Sequence, residues 1–445
     1  MISHKALYRH IFIIFALMTL IFARPILAQA EENAEFSEDS AFFQKSYLLL
    51  STKRYEELDQ LYKQYVDLYA DHQITAEELA KKFGTFARTP GLDPRYDEWI
   101  EAFPASYSAR LARGICRSNS AWEKRGSNMA RNTSDAQFRG FGETLLEARS
   151  DLEASLALDS RPVNSYRYLI RVTKGLGHDG QEVVRVDWHD LLDAVLRLDL
   201  KAVIAFFRDL FQDSGASRHN TKRGLLDAAL KLDPEAMNVR FEYMDSITPK
   251  WGGSEGMLEE FYAECNQSSM SDKNKKVMEG KYYFSLGEQA RFDKDFKSAA
   301  DYFYKYYLTN KEPANLQLAG QALLDGDFND LAFERFDELV KNHPEYSYGY
   351  ELRGTLNEHH IKDIENAIKD YLVASERGAN WSQNRMGWFY MMGINVPVDY
   401  VKAKHQLDLA AMQGNITAKE NLITLERLLG QPGAPASTNA MQPGS

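Results

Sequence analysis

Gly252-Gly253-Ser254-Glu255-Gly256 is the stretch of this sequence that could mount a nucleophile. A Gly-x-Ser-x-Gly pattern can project a serine hydroxyl from a strained strand-to-helix turn toward a histidine base and backbone oxyanion donors. That chemistry needs a strand before the serine. Arg240 to Ile247 instead carry a helical pattern, and Pro249 would interrupt a central strand. No glycine-rich oxyanion segment lies upstream. The competing expectation is a helix-to-helix turn in which Ser254 caps a helix over 255–262. A hydrolase using Ser254 is kept as an alternative to a chain that is not an enzyme.

The other chemical patterns are incomplete. Asp325, Asp327, Asn329 and Asp330 imitate a calcium loop, but its sixth and twelfth places hold Asp330 and Phe336 where Gly and Glu are needed. His359-His360 and the other eight histidines lack an i, i+4 pairing with a carboxylate base, so no zinc site is expected. His359 follows Glu358, a placement that would allow a pH-sensitive contact. No phosphate-cradling Gly-Lys-Ser/Thr loop or Gly-x-Gly-x-x-Gly fingerprint occurs. The sequence calls for no cofactor and no metal.

Charge adds one local signal. Arg110, Arg113, Arg117, Lys124, Arg125, Arg131 and Arg139 face only Glu123 and Asp135 in the same segment, in a chain whose net charge is −11. Two readings stay open. Arg110, Arg113, Arg117 and Arg125 could form an anion patch, with Trp122 and Trp251 available for stacking. Alternatively they pair internally with acidic neighbours such as Asp151 and Glu153.

The elements that must position these residues are helices. Hydrophobic residues make up 44%, prolines number only 13, and no run of alternating strand pattern stands out. The strongest organisation is a repeat. Gly287, Gly320, Gly354 and Gly387 recur at an almost constant interval, the middle step longer than the other two by a single position. Downstream of each comes a small residue, Ala299, Ala332, Ala367 and Ala403. Four residues later stand Phe303, Phe336, Tyr371 and Leu407. A small residue followed by a bulky apolar one at i+4 marks one face of a helix, and the upstream glycine lets a preceding helix approach it. Each unit is then a helix pair whose apolar face only a neighbour can cover.

Gly320, Ala332, Phe336 and Pro344, with the turn Gly326-Asp327-Phe328, resemble tetratricopeptide repeats. The last unit looks like the related Sel-one-like repeat: Met386-Gly387-x-x-Tyr390-x-x-Gly393, then Val396-x-x-Asp399-x-x-Lys402-Ala403, closing on Ala410-Ala411-x-x-Gly414. Asn395 replaces that family's second turn glycine and tolerates positive φ better than most residues. The first half is less regular. Ala109 to Gly114, Trp122 to Arg139 and Pro249 to Ser254 look like an uncharacterised bacterial domain-of-unknown-function family that often precedes helical repeats. That likeness would cover about 46–264 and implies architecture, not activity.

The resemblance to tetratricopeptide arrays implies that the first helix of each pair lines a concave groove. Counting from the column glycines gives Lys281, Phe284, Glu288 and Arg291, then Ala314, Gln317, Gln321 and Leu324. Tyr348, Glu351, Thr355 and Glu358 follow, and the last unit supplies Trp381, Asn384, Trp388 and Met391. Aromatic anchors and amides of this kind suit an extended peptide. The alternative is that Trp381 and Trp388 merely pack against the previous unit.

The first thirty residues read as a secretory leader. Lys5, Arg9 and His10 precede the apolar run from Ile11 to Ala23, and Ala28-Gln29-Ala30 is a small-x-small cleavage site. The run is short for a membrane span, although an uncleaved anchor is the competing reading. The leader holds three of the 53 Lys+Arg and none of the 64 acidic residues, so the remainder carries −14. Such a surface disfavours nucleic acid and anionic lipid. Cys116 and Cys265 either bridge in an oxidising compartment or stay as two buried thiols.

The expected organisation is a leader at 1–30, an acidic lead-in at 31–40, an irregular N-terminal helical domain at 41–280, repeats at 281–429 and a disordered tail at 430–445. The expected fold is all-α, a helical-repeat solenoid preceded by an irregular tetratricopeptide-like domain. The expected function is non-enzymatic binding of a protein or peptide in the periplasm or outside the cell, with no nucleic acid and no stable membrane span after leader removal. A purely structural envelope spacer is the other non-catalytic reading.

Overall fold

The computed structural model of the chain describes residues 34–88, 92–126, 133–177 and 221–430. The leader, Arg131 and all of the tail beyond Gly430 lie outside the described residues. Every regular element among those described is helical. None is long and apolar enough to cross a membrane. The chain divides into two compact units. The first runs to Ile247 and includes Trp251–Gly253; the second holds Thr248–Lys250 and everything from Ser254.

The first unit contains α1 (Ala34–Ser51), α2 (Tyr55–Ala70), α3 (Ala76–Phe83), α4 (Asp93–Ala102), α5 (Tyr107–Arg125), α6 (Asp135–Ser155), α7 (Val163–Leu176), α8 (Lys222–Leu232) and α9 (Met237–Ser246). Helix α1 begins inside the acidic stretch. Thr75 with Glu78 and Ser134 with Gln137 form reciprocal caps that start α3 and α6. Tyr62, Phe83, Phe86, Tyr96 and Trp99 are fully buried, and the Tyr62 ring lies 4.7 Å from Phe86 and 6.2 Å from Trp99. Aromatic burial on this scale dominates a small core. The Tyr62 hydroxyl is satisfied by Thr85 at 2.7 Å and Ser46 at 3.1 Å.

Two motifs of this unit now have physical roles. A Cβ on Gly114 would lie 2.8 Å from Leu152, and Ala148 and Leu152 are fully buried beneath it. This is the glycine over small-then-bulky arrangement of the later repeats, built here by the long helices α5 and α6. A Cβ on Gly253 would fall 1.8 Å from the Ile247 carbonyl oxygen, so that turn admits only glycine. Trp251 packs edge-on against Trp122 at 5.3 Å.

The second unit contains α10 (Glu255–Gln267), α11 (Asp272–Phe292), α12 (Phe296–Asn310), α13 (Pro313–Asp325), α14 (Asn329–Asn342), α15 (Ser347–Leu356), α16 (Ile364–Glu376), α17 (Asn380–Met392), α18 (Tyr400–Met412) and α19 (Ile416–Leu429). Its extensive helix contacts join neighbours in sequence, apart from α17 with α19. That is the contact pattern of a stack of hairpins. A Cβ on Gly287, Gly320, Gly354 or Gly387 would meet Phe303, Phe336, Tyr371 or Leu407 at 2.6, 2.4, 2.8 and 2.6 Å respectively. All four partners are fully buried, as are the four column alanines.

The step from column glycine to column alanine is the same in Gly287 to Ala299 and Gly320 to Ala332, and longer in Gly354 to Ala367 and Gly387 to Ala403. The third unit absorbs its single extra residue in a π-helical turn, Asn357–Ile361, at the end of α15. The fourth uses a longer loop with Gly393 at φ +69° and Asn395 at φ +52°. In the turn between α13 and α14 it is Asp327, at φ +60°, that takes the left-handed conformation. Gly326 serves space instead, since a Cβ there would touch Phe296 at 2.7 Å.

Candidate functional site

The first helices of the four hairpins, α11, α13, α15 and α17, carry the face expected to meet a partner. Much of it is already engaged. Lys281 lies over the Phe284 ring at 5.3 Å, and Phe284 packs on Phe303 and Tyr306. Glu288 and Ala314 are exposed, and Leu324 packs against the core. Arg291 donates to Asp325 at 3.1 Å, which also accepts from Gln321 at 3.2 Å. Gln317 accepts from the Tyr346 hydroxyl at 2.6 Å. The Arg291 and Tyr346 bonds each tie one hairpin to the next.

The terminal unit is more closed than its sequence suggests. Trp388 packs against two separate core clusters. Asn384 is buried and accepts from Asn421 of α19 at 2.9 Å, and Met391 is also buried. Helix α19 lies against α17 and covers this end. Trp381 remains half-buried, its ring edge-on to Tyr371 at 5.3 Å. The open part of the face therefore lies between α13 and α17, around Gln317, Tyr346, Tyr348, Glu351 and Trp381. Tyr348 is 41% exposed.

Two carboxylates on α15 and its π turn have different surroundings. Glu358, 6% exposed, accepts from Arg385 Nε at 2.9 Å, from a second Arg385 nitrogen and from the Tyr371 hydroxyl at 2.9 Å. His359 Nε2 lies 3.7 Å from the same carboxylate. Among the described residues the Glu351 carboxylate accepts only from Ser382, through the backbone N–H at 3.2 Å and the hydroxyl at 2.8 Å. Burial raises the Glu351 carboxyl above the usual glutamate range, against the pull of the Ser382 donors. Tyr346, Ser382 and Arg385 were not singled out from sequence. Their partners sit on other helices, a whole repeat or nearly so away in the chain, beyond any local pattern.

Glu351→Gln should therefore raise thermal stability at neutral pH. A carboxyl whose folded pKa is raised gives its full stability below the unfolded value and loses it as pH rises through the folded one. Glutamine mimics the protonated form. Melting curves should show Glu351→Gln above the wild type at pH 7, by about 1–3 °C on the usual size scaling, and converging near pH 4. A variant that melts lower at pH 7 would refute this.

Arg110, Arg113 and Arg117 of the basic segment are paired internally. Asp151, 2% exposed, accepts from Arg113 at 2.8 and 2.5 Å, Arg117 at 2.8 Å and Arg110 at 3.5 Å. Arg113 and Arg117 also reach Asp97, and Arg117 approaches Glu147. Glu153 pairs with Arg149 instead. Trp122 packs on Phe141 at 4.9 Å, with Arg125 over its ring at 5.8 Å. These partners favour internal pairing over the anion patch.

Ser254 caps α10: its Oγ accepts from Met257 N–H at 3.1 Å. Helix α9 and a short 3-10 turn, Pro249–Trp251, precede it rather than a strand, which removes the geometry a nucleophile elbow needs. Asp325 of the calcium-like loop is held by Arg291 and Gln321. Among the described residues no group of three or more His, Cys, Asp or Glu is placed to hold a metal. Cys116 and Cys265 are both buried, and neither is in a disulfide. Burial pushes the Cys116 thiol up to about 11, so it is protonated and unreactive at neutral pH.

No protein-family model and no curated protein matches the sequence. Among solved structures, the crystal structure of yeast Tom70 is 11% identical, with 88% of this chain and 89% of that one covered at a TM-score of 0.32. The human IFIT1 dimer with m7Gppp-AAAA is 15% identical, with 87% and 89% covered and a TM-score of 0.30. The P58(IPK) TPR domain is 14% identical, with 88% and 98% covered and a TM-score of 0.21. The hairpins themselves make this an all-α helical-repeat chain of tetratricopeptide-like build.

Proposed function

We propose that the chain is a non-enzymatic repeat module of the bacterial cell envelope that holds an extended peptide or protein segment on the open face of its second unit. The observation that carries this reading is Tyr348. It is a large, exposed aromatic on a first helix, its ring edge-on at 6.5 Å to Tyr346, which donates to Gln317, and Glu351 follows one turn later on the same helix. Rigid aromatics with adjacent amides are the usual anchors of such recognition. The leader-like first thirty residues support export. The balance of −14 beyond them argues for a peptide over a nucleic acid. In this reading the leader ends at Ala30 and the repeats occupy about 281–429.

The experiment is photo-crosslinking in intact cells. A benzophenone side chain at position 348 should give a discrete adduct in the envelope fraction. The same group at Leu308, 45% exposed on the second helix α12, should not. Equal adducts at both positions, or none at 348, would remove the proposal. Trp388→Ala is a poor probe here, because that half-buried ring packs against two core clusters.

A further inference from the structure

Glu351 differs from four other carboxylates recessed into the second unit. Asp337 and Asp370 each lie within 3.0 Å of Arg353, Glu338 within 3.0 Å of Arg335, and Glu358 within 3.0 Å of Arg385. Among the described residues, Glu351 has only the uncharged Ser382 as a side-chain partner. One of its oxygens carries both Ser382 bonds and leaves the other for a further donor. A half-buried carboxylate without a counterion costs the fold stability that an amide would not.

Its surroundings suit a cation. Tyr348 lies one turn earlier on α15, exposed on the same side of the helix. Trp381 precedes Ser382, and its ring meets Tyr371, whose hydroxyl feels the Glu351 charge. Aromatic faces beside a carboxylate attract ammonium and guanidinium groups. Arg385, the guanidinium on the same stretch of α17, is committed to Glu358. The chain's acidic balance would steer a basic segment toward this face.

We infer that the open face of the second unit accepts an arginine or lysine side chain of the bound segment against Glu351, with Tyr348 and Trp381 as its aromatic flank. This rests on the partner-binding reading above. The cation would supply the counterion the fold omits, so the substitution that strengthens the fold should weaken binding.

The test uses the full mature chain and a displayed library of random dodecapeptides. Peptides whose capture is lost in Tyr348→Ser define binders of this face. They should contain arginine or lysine. Replacing that arginine by citrulline, which keeps shape and removes charge, should weaken binding about tenfold on the wild type, a modest value for a close charge pair. On Glu351→Gln the two peptides should bind within about twofold of each other. Tyr348-dependent peptides with no basic residue, or a citrulline penalty unchanged in Glu351→Gln, would overturn the inference and leave the binding face standing. Failure to recover any Tyr348-dependent peptide would overturn both.

Discussion

Asp151→Asn should destabilise the first unit by about 3–5 kcal/mol, the loss typical of removing one partner from a buried ion pair. The side chain sits almost wholly out of water on α6, and three guanidinia from one face of α5 converge on its two oxygens. Asparagine keeps the shape but loses the charge, and its amide nitrogen presents donors where donors already crowd. Asp97 and Glu147 cannot replace it, because both are largely exposed and pair only at the rim. Denaturant unfolding should show the first unit's transition moving to lower denaturant with the second unit's unchanged. Arg113→Met should recover part of the loss when added to Asp151→Asn, because the pair share hydrogen bonds and cannot be additive. A loss below about 1 kcal/mol would mean that solvent or a bound anion satisfies the guanidinia. The anion-patch reading of Arg110, Arg113 and Arg117 would then return, and added phosphate should stabilise the variant.

How much of this was legible in sequence depended on whether a contact had a period. The column from Gly287 to Gly387 was readable because close helix approach, a small residue and a bulky residue recur at nearly fixed spacing. The hairpin of α5 and α6 uses the same packing but hides it, because Gly114 and Ala148 stand much farther apart in the chain than a column glycine and its alanine. Asn395 was expected to adopt positive φ and does so. Open and closed positions of the face could not be separated in advance. Asn384 and Trp388 occupy the same register as Glu351 and Thr355, and only the packing of α19 on α17 closes the end of the stack. Arg385 takes Glu358 out of the binding surface through a bond from the following hairpin, which no local pattern announces. The Ser254 elbow shows the converse. Five residues matched a motif whose chemistry lives in a strand that α9 does not provide.

Gly320 and Phe336 offer the sharpest test that the column is one physical device. Phe336 is fully buried, and its ring edge stands 2.4 Å from where a Cβ on Gly320 would be. Phe336→Ala should cost about 3–5 kcal/mol, the range for deleting a buried aromatic ring. Gly320→Leu should also destabilise, because two bulky groups cannot share that space and overpacking costs about 1–3 kcal/mol. The gain in helix propensity from replacing glycine, up to about 1 kcal/mol, offsets only part of this. Combined, the leucine fills the space the ring vacates, so the double variant should be less damaged than the sum by about 1–3 kcal/mol. Gly320→Leu combined with Phe303→Ala should show no such relief, since Phe303 meets Gly287 one hairpin earlier. Thermal unfolding of the full chain measures both double variants and the three single ones, Phe303→Ala included. Additive losses for Gly320 with Phe336 would mean that the helices adjust independently. The repeat would then be a coincidence of spacing, and the stacked face built on it would lose its foundation.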